Sequence, residues 1–459
     1  MRAGAAQIDI TPHAGVHLAG AVGLHRPAKL VAEPLYAKAL VLESEGCRLC
    51  FLALDVTIVT APYSAGIRHA AAERIGLDPE AVMVHATQTH SAPPLGHFMV
   101  DPDFEGIPSE CEWVAGGEAA YSDWACERAV EAIARAHQAL QPVQVGVGSG
   151  IEGRWAYNRR AVTRDGSVTM PGRTWPGGVG PTWIRYLEGP IDPELGVMCF
   201  RTDSLRMAAV LLHYTCHPVH VFPKCTVSPD WPGAWSDEVR RTLGSECVPV
   251  VLNGACGNIN PWPPFDPDYT EDHRAMGRAL AAATEKVVES LAFTDETRLA
   301  WTSRHIRIPL REVPADGLRW AEDILRAAPQ PTWTDDTRTT VDPDWMAAAS
   351  IYSVHLVRRR DSALDYEIQA FRVGDAAFVG LPGEPFVEGQ LAIKLGSPAY
   401  PTYVAHCCTE YVGYIPTRDA LQRGGHEANT RYWAKLAPEA LDMVVEGAVE
   451  AVRELFPSS

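Results

Sequence analysis

A strand-forming run ends in a polar loop at Val84-His85-Ala86-Thr87-Gln88-Thr89-His90-Ser91-Ala92-Pro93-Pro94. Residues two apart on an extended chain point the same way, so Gln88 and His90 share one side of this loop. Imidazole nitrogen and amide oxygen atoms can both bind a cation, and two prolines stiffen the turn that follows. A loop histidine is more often a plain hydrogen-bonding group. The stretch by itself therefore leaves a polar turn and a metal site open.

A second apolar run ends in histidines at Leu212-His213-Tyr214-Thr215-Cys216-His217-Pro218-Val219-His220, and Asp230 follows shortly after. Three of the 16 histidines thus lie close to one acid. Imidazole suits Zn²⁺, and a nearby carboxylate can orient a ligand or accept a proton. We expect at least one of His213 and His220 to be an ordinary core or surface residue.

Three further strand ends carry candidate functional residues. The run Val251–Pro261 contains two glycines, which favour exposed backbone N–H groups of the kind found in oxyanion holes, although a plain turn explains them equally well. Glu384 lies at a strand-to-helix junction in Gly380–Phe386, where a carboxylate by itself indicates a helix cap. The run Glu410–Thr417 adds two tyrosines.

Strand-like and helix-like segments alternate along the chain, which predicts a mixed α/β fold in one domain spanning residues 1–459. The predicted strands are 37–43, 49–59, 82–87, 197–201, 208–214, 248–252 and 378–381. The predicted helices are 61–74, 119–139, 272–291, 315–327, 385–395 and 438–455. Two long segments rich in Gly, Pro and Trp, at about 97–117 and 148–190, interrupt this alternation. We expect them to form lids over a site.

Composition excludes several partner classes. A hydrophobic content of 46% with 21% charged residues is typical of a globular protein with a sizeable core. The net charge of −17 opposes encounter with nucleic acids and anionic membranes. The densest basic run, 358–360, is interpreted as a solvated strand end or loop. No apolar run reaches the ~20 residues that span a bilayer. A small-molecule substrate is the expected partner, and a homo-oligomer stays open.

The N-terminal residues Met1-Arg2-Ala3-Gly4 lead directly into a strand-like run, without the apolar core and cleavage site of a signal peptide. We therefore expect a cytoplasmic protein. The 11 cysteines are odd in number and irregularly spaced, which favours reduced thiols over a disulfide framework.

Taken in order, the conspicuous motifs of this chain resemble those of the neutral ceramidase family, whose catalytic domain is a zinc amidase. The matching stretches are Asp9-Ile10-Thr11-Pro12, Thr87-Gln88-Thr89-His90-Ser91, His217, Gly257-Asn258-Ile259-Asn260-Pro261, Pro382-Gly383-Glu384 and Tyr411-Val412-Gly413-Tyr414. The likeness runs from about residue 5 to about residue 455. It implies an αββα-like sandwich of mixed β-sheets flanked by helices, without the family's C-terminal immunoglobulin-like domain.

The resemblance also implies a zinc shell, namely His90, His217, Glu384 and Tyr414. The chain departs from the family where the first histidine of the Thr-His-Thr-His motif is replaced by Gln88. Either His90 takes over the role, Gln88 offers its carbonyl oxygen, or zinc is weakened or absent; we favour His90. Arg159, in an Asn-Arg pair typical of the family, is expected to hold the substrate or the oxyanion.

A second departure bears on mechanism, because Asn260 stands where the family has its serine nucleophile and an amide cannot attack a carbonyl. Zinc can instead lower the pKa of bound water from about 15.7 to about 7. We therefore expect a zinc hydrolase that cleaves an amide bond of a small amphipathic or cyclic substrate. Asp230 or His220 would be the general base, while Arg159, Tyr414 and the 257–260 loop would stabilise the oxyanion. Asn260 would hydrogen-bond the substrate.

Two alternatives remain at this stage. A lactone or ester hydrolase would use the same metal site and is separated by paired amide and ester substrates. A non-catalytic ligand-binding homologue would explain Gln88 and Asn260, but it gives no reason to keep His217, Asp230 and Glu384 together.

Overall fold

The computed structural model describes residues 1–171, 183–266, 269–295 and 297–457. Its strands are β1 (Arg2–Asp9), β2 (Leu30–Val31), β3 (Tyr36–Ser44), β4 (Cys47–Leu54), β5 (Val82–Ala86), β6 (Gln141–Ile151), β7 (Tyr157–Asn158), β8 (Ala161–Thr163), β9 (Val168–Thr169), β10 (Ile184–Leu187), β11 (Glu194–Thr202), β12 (Met207–Tyr214), β13 (Thr226–Val227), β14 (Val248–Asn253), β15 (Ile259–Asn260), β16 (Leu299–Pro309), β17 (Ala363–Val373), β18 (Ala376–Gly380), β19 (Glu384–Pro385), β20 (Thr402–Ala405) and β21 (Tyr414–Ile415). Its α-helices are α1 (Ala61–Ile75), α2 (Ala119–Gln138), α3 (Asp230–Leu243), α4 (His273–Ser290), α5 (Ala315–Ala327), α6 (Pro343–Arg360), α7 (Val387–Gly396), α8 (Arg418–Arg423) and α9 (Ala440–Leu455).

Eight strands form the larger sheet, in the order β14-β12-β11-β6-β1-β3-β4-β5. Its central pairs are antiparallel, whereas the outer pairs β12–β14 and β4–β5 are parallel. The two edge strands of this sheet nevertheless approach each other. The backbone N–H of Asn253, at the end of β14, donates to His85 Nε2 in β5 at 3.0 Å. The carboxyl ends of β5, β12 and β14 therefore meet at one place.

A four-stranded sheet, β16-β17-β18-β20, packs face to face on the larger one. Phe51 of β4 contacts Phe371 of β17 and Phe378 of β18 edge to face, with ring centroids 5.4 and 5.0 Å apart. Such aromatic contacts join the two inner faces in one apolar layer.

Helices cover the outer face of each sheet. Helices α1 and α2 pack on the β3–β4 side of the larger sheet, and α3 and α4 cover β11, β12 and β14. Helices α7 and α9 cover the smaller sheet. The predicted mixed α/β fold and its αββα layering are confirmed. In the described part of the chain, every helix is too short or too polar to cross a bilayer.

Two local interpretations were wrong. Residues 358–360 are the last turn of α6, where arginines face the negative end of the helix dipole, and are neither a strand end nor a loop. Glu384 does not cap a helix, because α7 begins only at Val387 and Phe386 is its N-cap. Glu384 instead lies in the short strand β19, which pairs in parallel with β21 and aligns Glu384 with Tyr414.

The first predicted lid, 97–117, packs onto the body of the protein. The backbone N–H groups of Phe98 and Met99 both donate to the Ala115 carbonyl, and residues Ser109–Ala115 form a 3₁₀ helix. The second, 148–190, contains strands β7 to β10, and residues 172–182 within it lie outside the described residues.

Candidate functional site

One buried amide fastens the strand ends that carry the candidate residues. The side-chain nitrogen of Asn253, at the end of β14, donates to the Thr87 carbonyl at 3.1 Å and to the Cys216 carbonyl at 3.0 Å. The loop after β5 and the loop after β12 are thus tied to β14. Since Gln88 follows Thr87 and His217 follows Cys216, this tie brings the first two motifs of the sequence together.

His217 and Glu384 face each other at the centre of the site. His217 Nδ1 lies 3.1 Å from the Ile259 carbonyl, which makes Nδ1 the protonated nitrogen. Its Nε2 lone pair then points at Glu384 Oε2, 3.2 Å away, and neither atom has a hydrogen-bond partner. Both side chains are almost fully buried. Two buried acceptors at this distance are unfavourable unless a proton or a metal cation lies between them.

The charge states agree with that arrangement. Burial lowers the pKa of His217, and the charge of Arg159 lowers it further, which favours neutral imidazole. Burial works to raise the pKa of Glu384, but the contact with His217 and the charge of Arg159 outweigh it and bring the pKa to about 2. A neutral imidazole beside a carboxylate is the donor pair of many zinc sites. The donor set therefore fits a divalent cation.

A small cavity of about 40 Å³ opens beside Glu384. Tyr411, in its wall, donates a hydrogen bond from its hydroxyl to Glu384 Oε1 at 2.8 Å. The cavity combines polar and apolar groups, and its lining residues are Gly20, Val22, Thr57, Ile58, Gln88, His90, Phe98, Met99, Glu384, Tyr411, Tyr414, His426 and Trp433. Three of the four predicted metal ligands, His90, Glu384 and Tyr414, thus line one cavity, and the fourth, His217, adjoins Glu384.

His90 lies in the cavity wall, next to His217. Its ring packs edge to face on His217, with centroids 5.4 Å apart, and rests on the backbone of Gly20. A Cβ at Gly20 would lie 2.5 Å from His90 Nδ1, so glycine is required there. Because the described residues bring no third His, Cys, Asp or Glu donor within 4.8 Å of both His217 and Glu384, His90 as a metal ligand stays a prediction.

A different trio does meet that distance criterion. Donor atoms of Glu80, His305 and Glu367 lie within 4.8 Å of one another, at a half-exposed position away from the cavity. The Glu367 carboxylate is already occupied there, since Arg68 binds both of its oxygens at 2.7 and 2.8 Å. This group is therefore better explained by the ion pair between Glu367 and Arg68.

Gln88 has a definite place in the site. Its backbone is left-handed, with φ of 66°, and its side chain is buried. Cys256 donates a long hydrogen bond to Gln88 Oε1, with sulfur and oxygen 3.7 Å apart, and the Gln88 side chain helps to lower the pKa of the neighbouring Glu384. Gln88 is thus part of the site around the Glu384 carboxylate.

Arg159 and Asn260 meet beside the cavity. They are carried by the paired short strands β7 and β15, and Arg159 Nη1 donates to Asn260 Oδ1 at 3.3 Å. The Arg159 guanidinium lies 5.4 Å from the ring centre of Tyr414, and its Nη2 has no hydrogen-bond partner. The structure therefore places Arg159, Asn260 and Tyr414 next to one another.

Asp230 and His220 form a second buried group. His220 Nδ1 lies 2.8 Å from Asp230 Oδ1, and Asp230 Oδ2 accepts from the Val221 amide at 2.9 Å. Neither residue belongs to the cavity lining. Any proton that this pair receives from the cavity must pass through an intervening group or water.

Two backbone N–H groups of the glycine loop are already bonded within the protein. The Gly257 amide donates to the Pro385 carbonyl, and the Ile259 amide donates to the Cys256 carbonyl. Both N–H groups are therefore occupied. Among the groups expected to stabilise an oxyanion, Arg159 and Tyr414 remain near the cavity.

The sequence reasoning missed two residues of the turn Gly424-Gly425-His426-Glu427. His426 lies at the exposed side of the cavity and packs on Tyr414 and Trp433. Glu427 is buried and binds Arg159. Two adjacent glycines before a histidine and an acid were the available signal, since such pairs mark tight turns.

No protein-family model matches the chain, and no curated protein matches it. Among solved structures it is similar to a ceramidase complexed with C2, at 18% identity and a TM-score of 0.72, covering 99% of this chain and 75% of that one. It is also similar to the neutral ceramidase from Pseudomonas aeruginosa, at 20% identity and a TM-score of 0.70, covering 100% and 75%. The chain therefore has the fold of the neutral ceramidases.

Proposed function

We propose that this protein is a metal-dependent hydrolase that cleaves the amide C–N bond of a small amphipathic or cyclic substrate. The observation that carries the proposal is the facing pair of His217 Nε2 and Glu384 Oε2, two unpartnered acceptors 3.2 Å apart in a buried site. The neutral-ceramidase fold supports the amide as the scissile bond, because one of its solved representatives is named a neutral ceramidase.

His217 and Glu384 would hold the metal, with His90 and Tyr414 completing its shell. A bound Zn²⁺ would polarise the substrate carbonyl and activate water for attack. The protein itself offers no serine at the matching position, where Asn260 instead accepts a hydrogen bond from Arg159. The proposal therefore uses water as the nucleophile and Asn260 as a polar contact for the substrate.

In the proposal, two groups stabilise the developing negative charge on the carbonyl oxygen. Arg159 stays protonated, because the surrounding negative groups raise its pKa despite burial. Burial and the Glu384 charge raise the pKa of Tyr414, which favours the protonated phenol, and in the proposal this phenol donates its proton in a hydrogen bond to the carbonyl oxygen. Preorganised donors of this kind each contribute about 10²–10³ in kcat. In the proposal, Asp230 and His220 accept the proton of water through an intervening group.

The proposed function is tested with a matched N-acyl amide and O-acyl ester that share one acyl group. We expect purified protein to hydrolyse the amide, to lose activity on exhaustive chelation and to regain it with Zn²⁺. Elemental analysis should find about one metal per chain and a stoichiometric deficit in His217→Ala, because one of its two facing donors is gone.

Three outcomes would contradict the proposal. Full metal content in His217→Ala would remove the central pair as the metal site. An acyl-enzyme trapped and located by mass spectrometry would exclude direct attack by water. Hydrolysis of the ester with no measurable hydrolysis of the amide would assign the same site to an esterase or lactonase.

A further inference from the structure

One buried carboxylate binds two adjacent arginines. Glu427 Oε1 accepts from Arg159 Nε at 2.8 Å, and Glu427 Oε2 accepts from Arg160 Nη1 at 2.7 Å. All three side chains are at most 4% exposed. Burial opposes the ionisation of Glu427, but the charges of Arg159, His426 and Arg160 keep its pKa below the usual range. The carboxylate is therefore ionised, and each of its oxygens is committed to a different arginine.

The turn that carries Glu427 is held in place from the other side. Gly424 and Gly425 adopt left-handed backbone conformations, with φ of 77° and 100°. Arg160 Nη2 donates to the Gly424 carbonyl at 2.8 Å, and a Cβ at Gly425 would lie 2.9 Å from Arg160 Nη1. Arg160 in turn pairs with Glu188 at the end of β10. The backbone position of Glu427 is thus set by Arg160.

Arg159 has two anchors and one free edge. Its Nε is bound to Glu427 and its Nη1 to Asn260, whereas its Nη2 has no partner. Of these two hydrogen bonds, the one to Glu427 is the shorter, and Glu427 is the charged partner. Because a guanidinium is planar, fixing Nε and Nη1 also fixes the direction in which Nη2 points.

We propose that Glu427 is a positioning residue, which holds the Arg159 guanidinium so that its Nη2 edge faces the substrate carbonyl. This inference rests on the role proposed above for Arg159. Glu427 itself does not line the cavity. A misplacement of about 1 Å at such a donor costs on the order of 100-fold in rate.

The test combines Glu427→Gln with Arg159→Ala in a double-mutant cycle. Glutamine has one acceptor oxygen, so it can satisfy only one of the two arginines. We expect Glu427→Gln to lower kcat about 100-fold while KM changes by no more than about threefold, since the lost contact acts in the transition state. In an Arg159→Ala background the same change should lower kcat by no more than about threefold. Glu131→Gln is the matched control, because Glu131 also binds two arginines, Arg74 and Arg135, but on the surface and without touching Arg159 or Arg160; it should leave both constants within about threefold.

A second measurement needs no substrate. In protein labelled with ¹⁵N-arginine, hydrogen exchange at Arg159 Nε should be slow in the wild type and in Glu131→Gln and faster in Glu427→Ala. Equal exchange in all three proteins would overturn the inference, as would an unchanged effect of Glu427→Gln in the Arg159→Ala background. Absence of amidase activity in the wild type would instead refute the proposed function, and the exchange measurement would still decide the role of Glu427.

Discussion

Replacing Glu384 by glutamine is expected to abolish stoichiometric metal binding and to lower kcat at least about 1000-fold. The substitution keeps the size of the side chain, and its amide oxygen can still accept the hydrogen bond from Tyr411. It removes the negative charge that faces His217 Nε2, which is the feature that fits a cation. Metal content by elemental analysis and steady-state kinetics on the amide substrate check this prediction.

Glu367→Gln is the matched control. Glu367 is a glutamate whose donor atoms lie close to those of Glu80 and His305, the alternative place for a metal within the described residues. In that variant we expect metal content and kcat to stay at wild-type values, with a loss of stability because the largely buried Arg68 loses its carboxylate partner. Loss of metal from Glu367→Gln, with retention in Glu384→Gln, would move the metal site to this trio.

Replacing Arg159 by alanine is expected to lower kcat by about 10²–10³, because it removes a charged donor from the carbonyl oxygen in the transition state. KM should change much less, since a donor that acts on developing charge contributes little to ground-state binding. Metal content should stay at the wild-type level, because Arg159 contacts Asn260 and Glu427 and leaves the facing pair of His217 and Glu384 intact.

Arg423→Ala provides the comparison for that measurement. Arg423 is also paired to a glutamate near the same turn, namely Glu188, but it is partly exposed and does not contact Arg159. We expect its kcat to remain within about threefold of the wild type. A loss of metal from Arg159→Ala, or equal kinetic effects of the two substitutions, would assign Arg159 a structural role.

Local sequence patterns were sufficient to predict where the strands that lead into the site end. The apolar runs before Gln88, His217 and Gly254 predicted β5, β12 and β14 to within a residue or two, because period and composition mark buried strands. The order of the motifs then indicated the neutral-ceramidase fold, which the solved neighbours confirm. The identity of the metal ligands remains a prediction.

Pairings between distant segments could not be predicted from the sequence. Glu384 by itself looks like a helix cap, and only its parallel pairing with Tyr414 makes it a strand residue. Helix α3 was missed because Pro232 and Gly233 in its first turn are typical of a loop. Glu427 meets Arg159 from the far end of the chain, and no periodicity or spacing rule links residues so far apart.

Anomalous X-ray diffraction from crystals of metal-replete protein, recorded above and below the absorption edge of the metal found by elemental analysis, would locate the metal. We expect one strong anomalous peak within bonding distance of both His217 Nε2 and Glu384 Oε2. A metal-replete crystal with no peak there, or with its peak among Glu80, His305 and Glu367, would contradict it.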